Sequence, residues 1–115
     1  MTEIASVHEL ALSETVVHMV RERLGEARVV RVRLEVGRLM AVVPEAMRFC
    51  FDVCTRGTSL DGAVIEIEAV AARGICRSCG AVVEVADALP LCGCGSADLD
   101  IKGGDELRIK EVEVA

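Results

Sequence analysis

Four cysteines in two close pairs are the residues of this 115-residue chain whose types and spacing most clearly indicate chemistry. One pair lies in Cys76-Arg-Ser-Cys79-Gly80, and the second, after twelve intervening residues, lies in Cys92-Gly-Cys94-Gly95. A tetrahedral zinc ion takes four thiolates from two tight turns, and a glycine after each pair lets the backbone turn. We therefore predict a zinc site with the ligands Cys76, Cys79, Cys92 and Cys94. Because four thiolates leave no open coordination position, this site should be structural and not catalytic.

Other interpretations of the cysteines remain open from the sequence alone. The four thiols could be unrelated buried groups or a redox pair, and rubredoxin-like iron takes the same four thiolates. Against iron, the second pair is C-x-C and no feature of a redox partner is present. The remaining cysteines, Cys50 and Cys54, lie on the apolar stripe of a predicted helix, so we expect core thiols and not ligands. We expect His18, inside the first predicted helix, to be a surface or capping residue.

The pattern of apolar residues predicts two helices and three strands around the cysteine pairs. Leu10, Val17, Val20 and Leu24 are spaced as in a helix, whereas alternation of apolar and charged residues predicts strands. Pro44 suits the first turn of a second helix, which should end near Gly57. The predicted elements are a helix from Glu9 to Leu24, a strand from Val30 to Val36, the helix after Pro44, a strand from Ala63 to Val70 and a strand from Glu106 to Val114.

These elements indicate an α+β fold with a small three-stranded mixed sheet, two helices and an inserted zinc-ribbon-like domain. The first two strands should be parallel and joined by a right-handed crossover. The last strand should return to the same sheet, with a bulge or a bend near Lys110 where its alternation shifts. We place one discontinuous domain at residues 1–72 and 104–115 and the zinc-binding domain at 73–103. Within the latter, the segment from Ala81 to Pro90 is long enough for a hairpin.

Charge and composition argue against several classes of partner. The formal net charge is −6 and the two aromatic residues are both phenylalanine, so the chain lacks the basic contacts and stacking platforms that nucleic-acid binding uses. No apolar stretch approaches the roughly 18 residues that span a bilayer, and the N-terminus does not have the pattern of a secretory signal. We therefore expect a cytoplasmic protein, in which cysteines are more often metal ligands or buried thiols than disulfides.

Taken in order, the motifs from Val7 to Val114 resemble those of the HypA/HybF family of hydrogenase nickel-incorporation proteins. The resemblance begins with His8-Glu9-Leu10 before the first helix. It continues through Pro44-Glu45, Cys76-Arg-Ser-Cys79-Gly80 and Cys94-Gly95-Ser96, and it ends with Gly104-Asp-Glu106-Leu107. By itself the His-Glu pair is weak, because a carboxylate at a helix start is common.

The resemblance implies a nickel metallochaperone that is not an enzyme. It implies that His8 and Glu9 belong to a nickel site in the larger domain, where family members use the N-terminal amine, the next backbone amides and the histidine imidazole. Nitrogen donors in a near-planar arrangement suit Ni(II), whereas four thiolates suit zinc. The implied partners are a HypB-type GTPase and the hydrogenase large-subunit precursor, with urease maturation proteins in some organisms.

Two departures from the family pattern affect these expectations. The family's second cysteine pair is usually C-P-x-C, whereas only Gly93 separates Cys92 from Cys94. Six residues precede Val7, so His8 does not adjoin a free amine. A GTG start codon would be read as Val7 if translation were assigned upstream, and we therefore expect a natural start at this position. A true extension with an altered or weaker nickel site is the alternative.

Two other functions remain as alternatives to nickel delivery. A zinc-ribbon interaction module would bind protein partners and never handle nickel. An enzyme is disfavoured because the chain has two histidines and no Ser/His/Asp set or open catalytic metal triad.

Overall fold

The computed structural model describes residues 2–86 and 90–115, with side chains from residue 8 onward. Among them are two helices, six strands and one turn of 3-10 helix. In chain order these are α1 (Thr2–Leu24), β1 (Val29–Gly37), the 3-10 turn (Arg38–Met40), α2 (Pro44–Thr55), β2 (Val64–Val70), β3 (Ala72–Cys76), β4 (Val82–Val85), β5 (Leu99–Lys102) and β6 (Leu107–Val114). The strands form two three-stranded sheets in the orders β2-β1-β6 and β4-β3-β5. The predicted α+β class is thus confirmed.

The chain divides into two compact units. The first comprises the segment that ends at Leu34 together with Val42–Glu68 and Ile109–Ala115, and the second comprises Glu35–Ala41 and Ala69–Arg108. The functional domain boundaries predicted at residues 73 and 103 stay a prediction. In the part of the chain that is described, no helix is both long enough and apolar enough to cross a bilayer.

Helix α1 begins earlier than the apolar spacing indicated, at Thr2 instead of Glu9. No glycine or proline interrupts residues 2–8, so nothing in the backbone chemistry stops the helix there. Leu10, which helical spacing groups with the apolar Val17 and Val20, is 36% exposed, whereas Glu9 and Ser13 are fully buried. The buried face of α1 is therefore partly polar at its N-terminal end and apolar further on, at Val16, Val17 and Val20.

The core of the first unit lies between α1, α2 and the inner face of β1. Helix α2 begins at Pro44 as predicted and buries Met47, Cys50 and Phe51, while Cys54 is half-buried. Strand β1 buries Val32 and Leu34 in this core, as its alternation predicted, but Val30, which the alternation placed on the same face, is 36% exposed and Val29 is buried instead. The Ser13 hydroxyl donates to the Met47 carbonyl over 3.4 Å, which links α1 to the first turn of α2.

The other face of the β2-β1-β6 sheet carries paired charges. Arg31 Nη1 and Arg33 Nε lie 3.3 and 3.2 Å from the two carboxylate oxygens of Glu66 on β2. From β6, Glu113 lies 3.2 Å from Arg31 Nε and Glu111 lies 3.0 Å from Arg33 Nη1. These partner numbers fall along β6 as they rise along β1, which is an antiparallel arrangement. The direction of β2 relative to β1 stays a prediction.

Strand β6 returns to the sheet as predicted, and its alternation shifts at Lys110. Lys110 Nζ lies 3.4 Å from Glu68, and its neighbour Glu111 pairs with Arg33, so two consecutive residues face the same charged surface. The half-buried Ile109 and Val112 flank this pair. The shift in alternation thus falls where the sequence placed it, within a strand that runs continuously from Leu107 to Val114, and the bulge or bend expected there stays a prediction.

The second unit contains the antiparallel sheet β4-β3-β5. Ile75 lies opposite Val82 of β4 and Asp100 of β5. Its neighbour Gly74 lies on the inner face, opposite Val83 and Ile101. A Cβ at Gly74 would come within 3.2 Å of Val85 and 3.3 Å of Leu99, so glycine permits their close packing. In the segment from Ala81 to Pro90, strand β4 pairs with β3. The hairpin predicted within this segment includes residues 87–89, which lie outside the described residues, and it stays a prediction.

Candidate metal centres

The four predicted zinc ligands lie together at one end of the β4-β3-β5 sheet. The Sγ atoms of Cys76, Cys79, Cys92 and Cys94 all lie within 4.8 Å of one another. The shortest separations are 3.6 Å between Cys76 and Cys94 and 3.5 Å between Cys79 and Cys92. Tetrahedral zinc with bonds of about 2.3 Å requires sulfur–sulfur distances of about 3.8 Å. The cluster therefore fits a structural zinc ion in both donor chemistry and spacing.

The first pair of cysteines is held by a tight turn at the end of β3. The Cys79 N–H donates to Cys76 Sγ over 3.4 Å, and the Gly80 N–H donates to the Cys76 carbonyl over 2.8 Å. Gly80 adopts φ +79°, a conformation that glycine takes without steric cost. The predicted function of the glycine after this pair is thus visible in the backbone.

The shortened second pair, with one residue between its cysteines, also reaches the cluster. The Cys92 N–H donates to the Ser96 carbonyl, and the Gly95 N–H, with φ +95°, donates to the Cys92 carbonyl; both distances are 2.9 Å. The turn after Cys94 therefore closes without the longer spacing usual in the resembled family. Cys92 is buried and Cys94 is exposed, so the cluster has one side toward the core and one toward solvent.

The sequence did not single out the polar residues that connect the two cysteine turns. The Ser78 hydroxyl donates to Ser96 Oγ over 3.1 Å, and this bond joins the turns directly. Arg77 lies 2.8 Å from the Asp98 carboxylate, and its N–H donates to the Asp98 carbonyl over 2.9 Å. These residues lie between or just after the cysteines in the sequence. This position could have predicted their contacts, because residues there must approach the opposite turn.

The proximity of the four thiols strongly affects their acidity. The Cys79 N–H, aided by the Ser78 N–H, lowers the pKa of Cys76 to about 6. For Cys79, the hydrogen bond from Ala81 lowers the pKa, but the surrounding thiols outweigh it and raise the pKa to about 12. One thiolate forms readily and further ionisation is opposed by like charge, which a divalent cation would relieve.

The two residues of the expected nickel site differ in their surroundings. His8 lies on the exposed side of α1, whereas Glu9 is fully buried. Glu9 Oε2 accepts a 2.7 Å hydrogen bond from the Val43 N–H at the N-terminus of α2. Its other oxygen, Oε1, is buried with no hydrogen-bond partner among the described residues. The Glu9 carboxylate is thus directed into the α1–α2 contact, away from the His8 imidazole that solvent can reach.

The other residues that the sequence singled out lie outside the cysteine cluster. Cys50 is buried in the α1–α2 contact, where burial and, secondarily, the Glu9 charge raise the pKa of its thiol. His18 is exposed, and its Nε2 lies 3.4 Å from Glu22 one helical turn further on. The expectations of a core thiol at Cys50 and a surface histidine at His18 are confirmed.

Comparison with known proteins gives matches over nearly the whole chain. Residues 7–114 match the family described as hydrogenase/urease nickel incorporation, metallochaperone, HypA. A hydrogenase maturation factor HypA from a Nostoc species is 45% identical over 108 residues, covering 94% of this chain and 96% of the relative. The corresponding protein of Geotalea uraniireducens is 44% identical and covers 94% and 99% of the two chains.

Solved structures of similar fold give the same architecture. The solution structure of the nickel metallochaperone HypA from Helicobacter pylori aligns with a TM-score of 0.62 at 20% identity, covering 92% of this chain and 96% of that one. A second solution structure, of a HypA protein, aligns with a TM-score of 0.59 at 18% identity over 100% and 98% of the two chains. At these identities the likeness concerns the fold alone.

Proposed function

Because this chain belongs to the HypA family of hydrogenase/urease nickel-incorporation metallochaperones, we propose that it binds Ni(II) and delivers it during maturation of a [NiFe]-hydrogenase. The observation that carries the proposal is the family match over residues 7–114, which includes His8 and all four clustered cysteines. A carrier of this kind needs a labile site for its cargo and a separate stable site for its own fold. We propose that the protein is not an enzyme.

We assign the stable site to zinc, with Cys76, Cys79, Cys92 and Cys94 as its ligands. Support comes from the four Sγ atoms within 4.8 Å of one another. A closed set of four thiolates holds zinc without a position for substrate, so zinc would join the two cysteine turns and stabilise the second unit.

We assign the labile nickel site to His8 and Glu9, with different contributions from the two residues. The exposed His8 imidazole can supply a nitrogen donor to Ni(II). The buried Glu9 carboxylate is engaged by Val43, so a direct contribution from Glu9 would come from its backbone amide. Within α1 the amides of residues 8 and 9 donate to carbonyls four residues earlier. Nickel coordination through these amides therefore requires the first turns of α1 to open.

A nickel titration of the zinc-loaded protein tests this assignment. Ni(II) binding should include a tight component that His8→Ala removes and His18→Ala, the matched control at the chain's other histidine, retains. A chain that begins Met-His8-Glu9 should bind more tightly than the 115-residue chain, because it has a free amine and no preceding helical turn to open. Unchanged binding by His8→Ala would refute the site, and no nickel binding by any of these chains would favour a zinc-ribbon interaction module.

The proposed partners are a HypB-type GTPase and the hydrogenase large-subunit precursor, with urease maturation proteins as further candidates. The family's part in hydrogenase and urease nickel incorporation supports maturation proteins as the class of partner. We also propose a cytoplasmic location, since a four-thiolate zinc site needs the reduced cysteines that the cytoplasm maintains. Calorimetry with the purified GTPase tests the first partner, and an absence of heat with both nickel-loaded and nickel-free protein would contradict it.

A further inference from the structure

A groove beside the C-terminal half of α1 gathers metal-binding side chains that neither the zinc nor the nickel assignment uses. The groove has a volume of about 490 Å³ and lies within the first unit, between α1 and the end of α2. Helix α1 contributes Glu14, His18 and Glu22, and α2 contributes the half-buried thiol of Cys54. Imidazole, thiolate and carboxylate are together the donors that borderline divalent transition metals prefer.

The spacing along α1 places these side chains on one face. Glu14, His18 and Glu22 follow one another at intervals of four residues, and residues so spaced are neighbours on a helix surface. The His18 Nε2 atom lies 3.4 Å from the Glu22 carboxylate. An imidazole whose Nε2 faces a carboxylate presents Nδ1 to a metal ion, which is the usual orientation of a metal-binding histidine beside its carboxylate partner.

The charges around the groove favour a cation. Three glutamates and one arginine line it, and that arginine, Arg21, lies 3.4 Å from Glu26 at the groove's edge. The Cys54 thiol experiences this field, since burial and then the charge of Glu14 raise its pKa. A bound divalent ion would relieve both the repulsion among the carboxylates and the cost of ionising the thiol.

We propose that this groove is a second, weaker site for a divalent transition-metal ion, with Glu14, His18 and Cys54 as ligands and Glu22 as the residue that positions His18. His18 lies ten residues along α1 from His8, which corresponds to about 15 Å, so one metal ion cannot contact both. Among the described residues, the cysteine cluster alone has three or more such ligand atoms already gathered within 4.8 Å. Binding in the groove must order exposed side chains, and its affinity should therefore be well below that of the cysteine cluster.

Co(II) titration of the zinc-loaded full chain tests the site, because a cobalt–thiolate bond gives a charge-transfer absorption that carboxylate or imidazole binding does not. Cobalt should produce this band at one equivalent beyond zinc, and Cys54→Ser should abolish it. His18→Ala should weaken cobalt binding at least tenfold. Glu22→Gln should weaken it about 10- to 100-fold while leaving the band in place, as expected for a positioning residue.

Two control variants separate this proposal from the nickel assignment. His8→Ala should leave the band unchanged, whatever its effect on nickel binding. Cys50→Ser removes the thiol one helical turn before Cys54 and should also leave it unchanged. The proposal is overturned if wild-type protein gives no thiolate band, or if the band persists in Cys54→Ser protein whose helical circular dichroism matches wild type.

Discussion

The buried carboxylate of Glu9 should stabilise the α1–α2 contact, and its removal should have a measurable cost. In the wild-type protein the Val43 N–H donates a 2.7 Å hydrogen bond to the Glu9 carboxylate, and Glu9→Ala removes this acceptor. An unsatisfied buried donor costs about 1–3 kcal/mol. Val43 as a whole residue is 44% exposed, so water can partly replace the lost acceptor. Removing Glu9 also relieves the desolvation of Oε1. We therefore expect Glu9→Ala to lower the free energy of unfolding by about 1–2 kcal/mol, the lower half of the range for an unsatisfied buried donor.

The conservative variant Glu9→Gln should lose about half as much. Its amide oxygen can still accept from Val43, but a neutral acceptor forms a weaker hydrogen bond than a carboxylate does. Urea unfolding of the zinc-loaded protein, followed by helical circular dichroism, measures both values. With a slope of about 1–2 kcal/mol per molar urea, Glu9→Ala should lower the midpoint by about 1 M.

Glu14→Ala is the matched control, since it removes an exposed glutamate from the same helix and should change stability by less than about 0.5 kcal/mol. Hydrogen exchange gives an independent measurement, because the Val43 amide should lose protection in Glu9→Ala. A Glu9→Ala midpoint equal to that of wild type, together with an unchanged exchange rate at Val43, would refute the reasoning.

Three further predictions concern backbone packing, pH and metal removal. Gly37→Ala should destabilise the protein by about 3 kcal/mol or more, because a Cβ there would lie 2.1 Å from the Gly104 backbone. In the control variant Gly93→Ala the new Cβ meets no atom within 4 Å, and this protein should unfold at the wild-type urea midpoint. The raised pKa of Cys50 keeps the thiol protonated in the folded protein at pH values where the unfolded thiol has ionised. The contribution of Cys50 to stability is therefore complete below pH 9.0 and falls as the pH rises further. A Cys50→Ala variant whose stability falls as steeply as that of wild type above pH 9.0 would contradict this prediction. Chelation of zinc, or the substitution Cys76→Ser, should abolish hydrogen-exchange protection in β3 while α1 and α2 stay protected. Protection that persists in β3 after zinc is removed would contradict a structural function for the metal.

Residue types alone were sufficient to predict the parts of the molecule in which local chemistry and packing agree. Pro44 marks the start of α2, and the alternation around Val32 and Leu34 gives the buried face of β1. The cysteine spacing correctly predicted a four-thiol cluster, even with the shortened second pair, because few arrangements other than a shared metal require such spacing.

The N-terminal half of α1 could not be predicted in the same way. Helical spacing grouped Leu10 with the apolar residues of α1, but the buried positions at this end of the helix are Glu9 and Ser13. A pattern of apolar residues cannot predict a buried carboxylate, and the partner of this one, the Val43 N–H, lies 34 residues away at the residue that precedes α2. The sequence therefore identified Glu9 as a residue of interest through a family motif, but only the three-dimensional structure shows that its side chain is buried in the core.

The order of strands in the β2-β1-β6 sheet has a consequence for how the chain acquires its structure during synthesis. Strand β1 lies between its two neighbours, but β6 is made only after the entire zinc-binding segment has been translated. The antiparallel strands β3 and β4 can pair as soon as they leave the ribosome, since their partners are close in sequence. The edge of β1 that β6 covers must wait, and pairings between residues so distant in sequence form slowly. A nascent chain that stalls before Leu107 would therefore expose the unpaired edge of β1, which makes this interval the one in which aggregation or chaperone capture should occur.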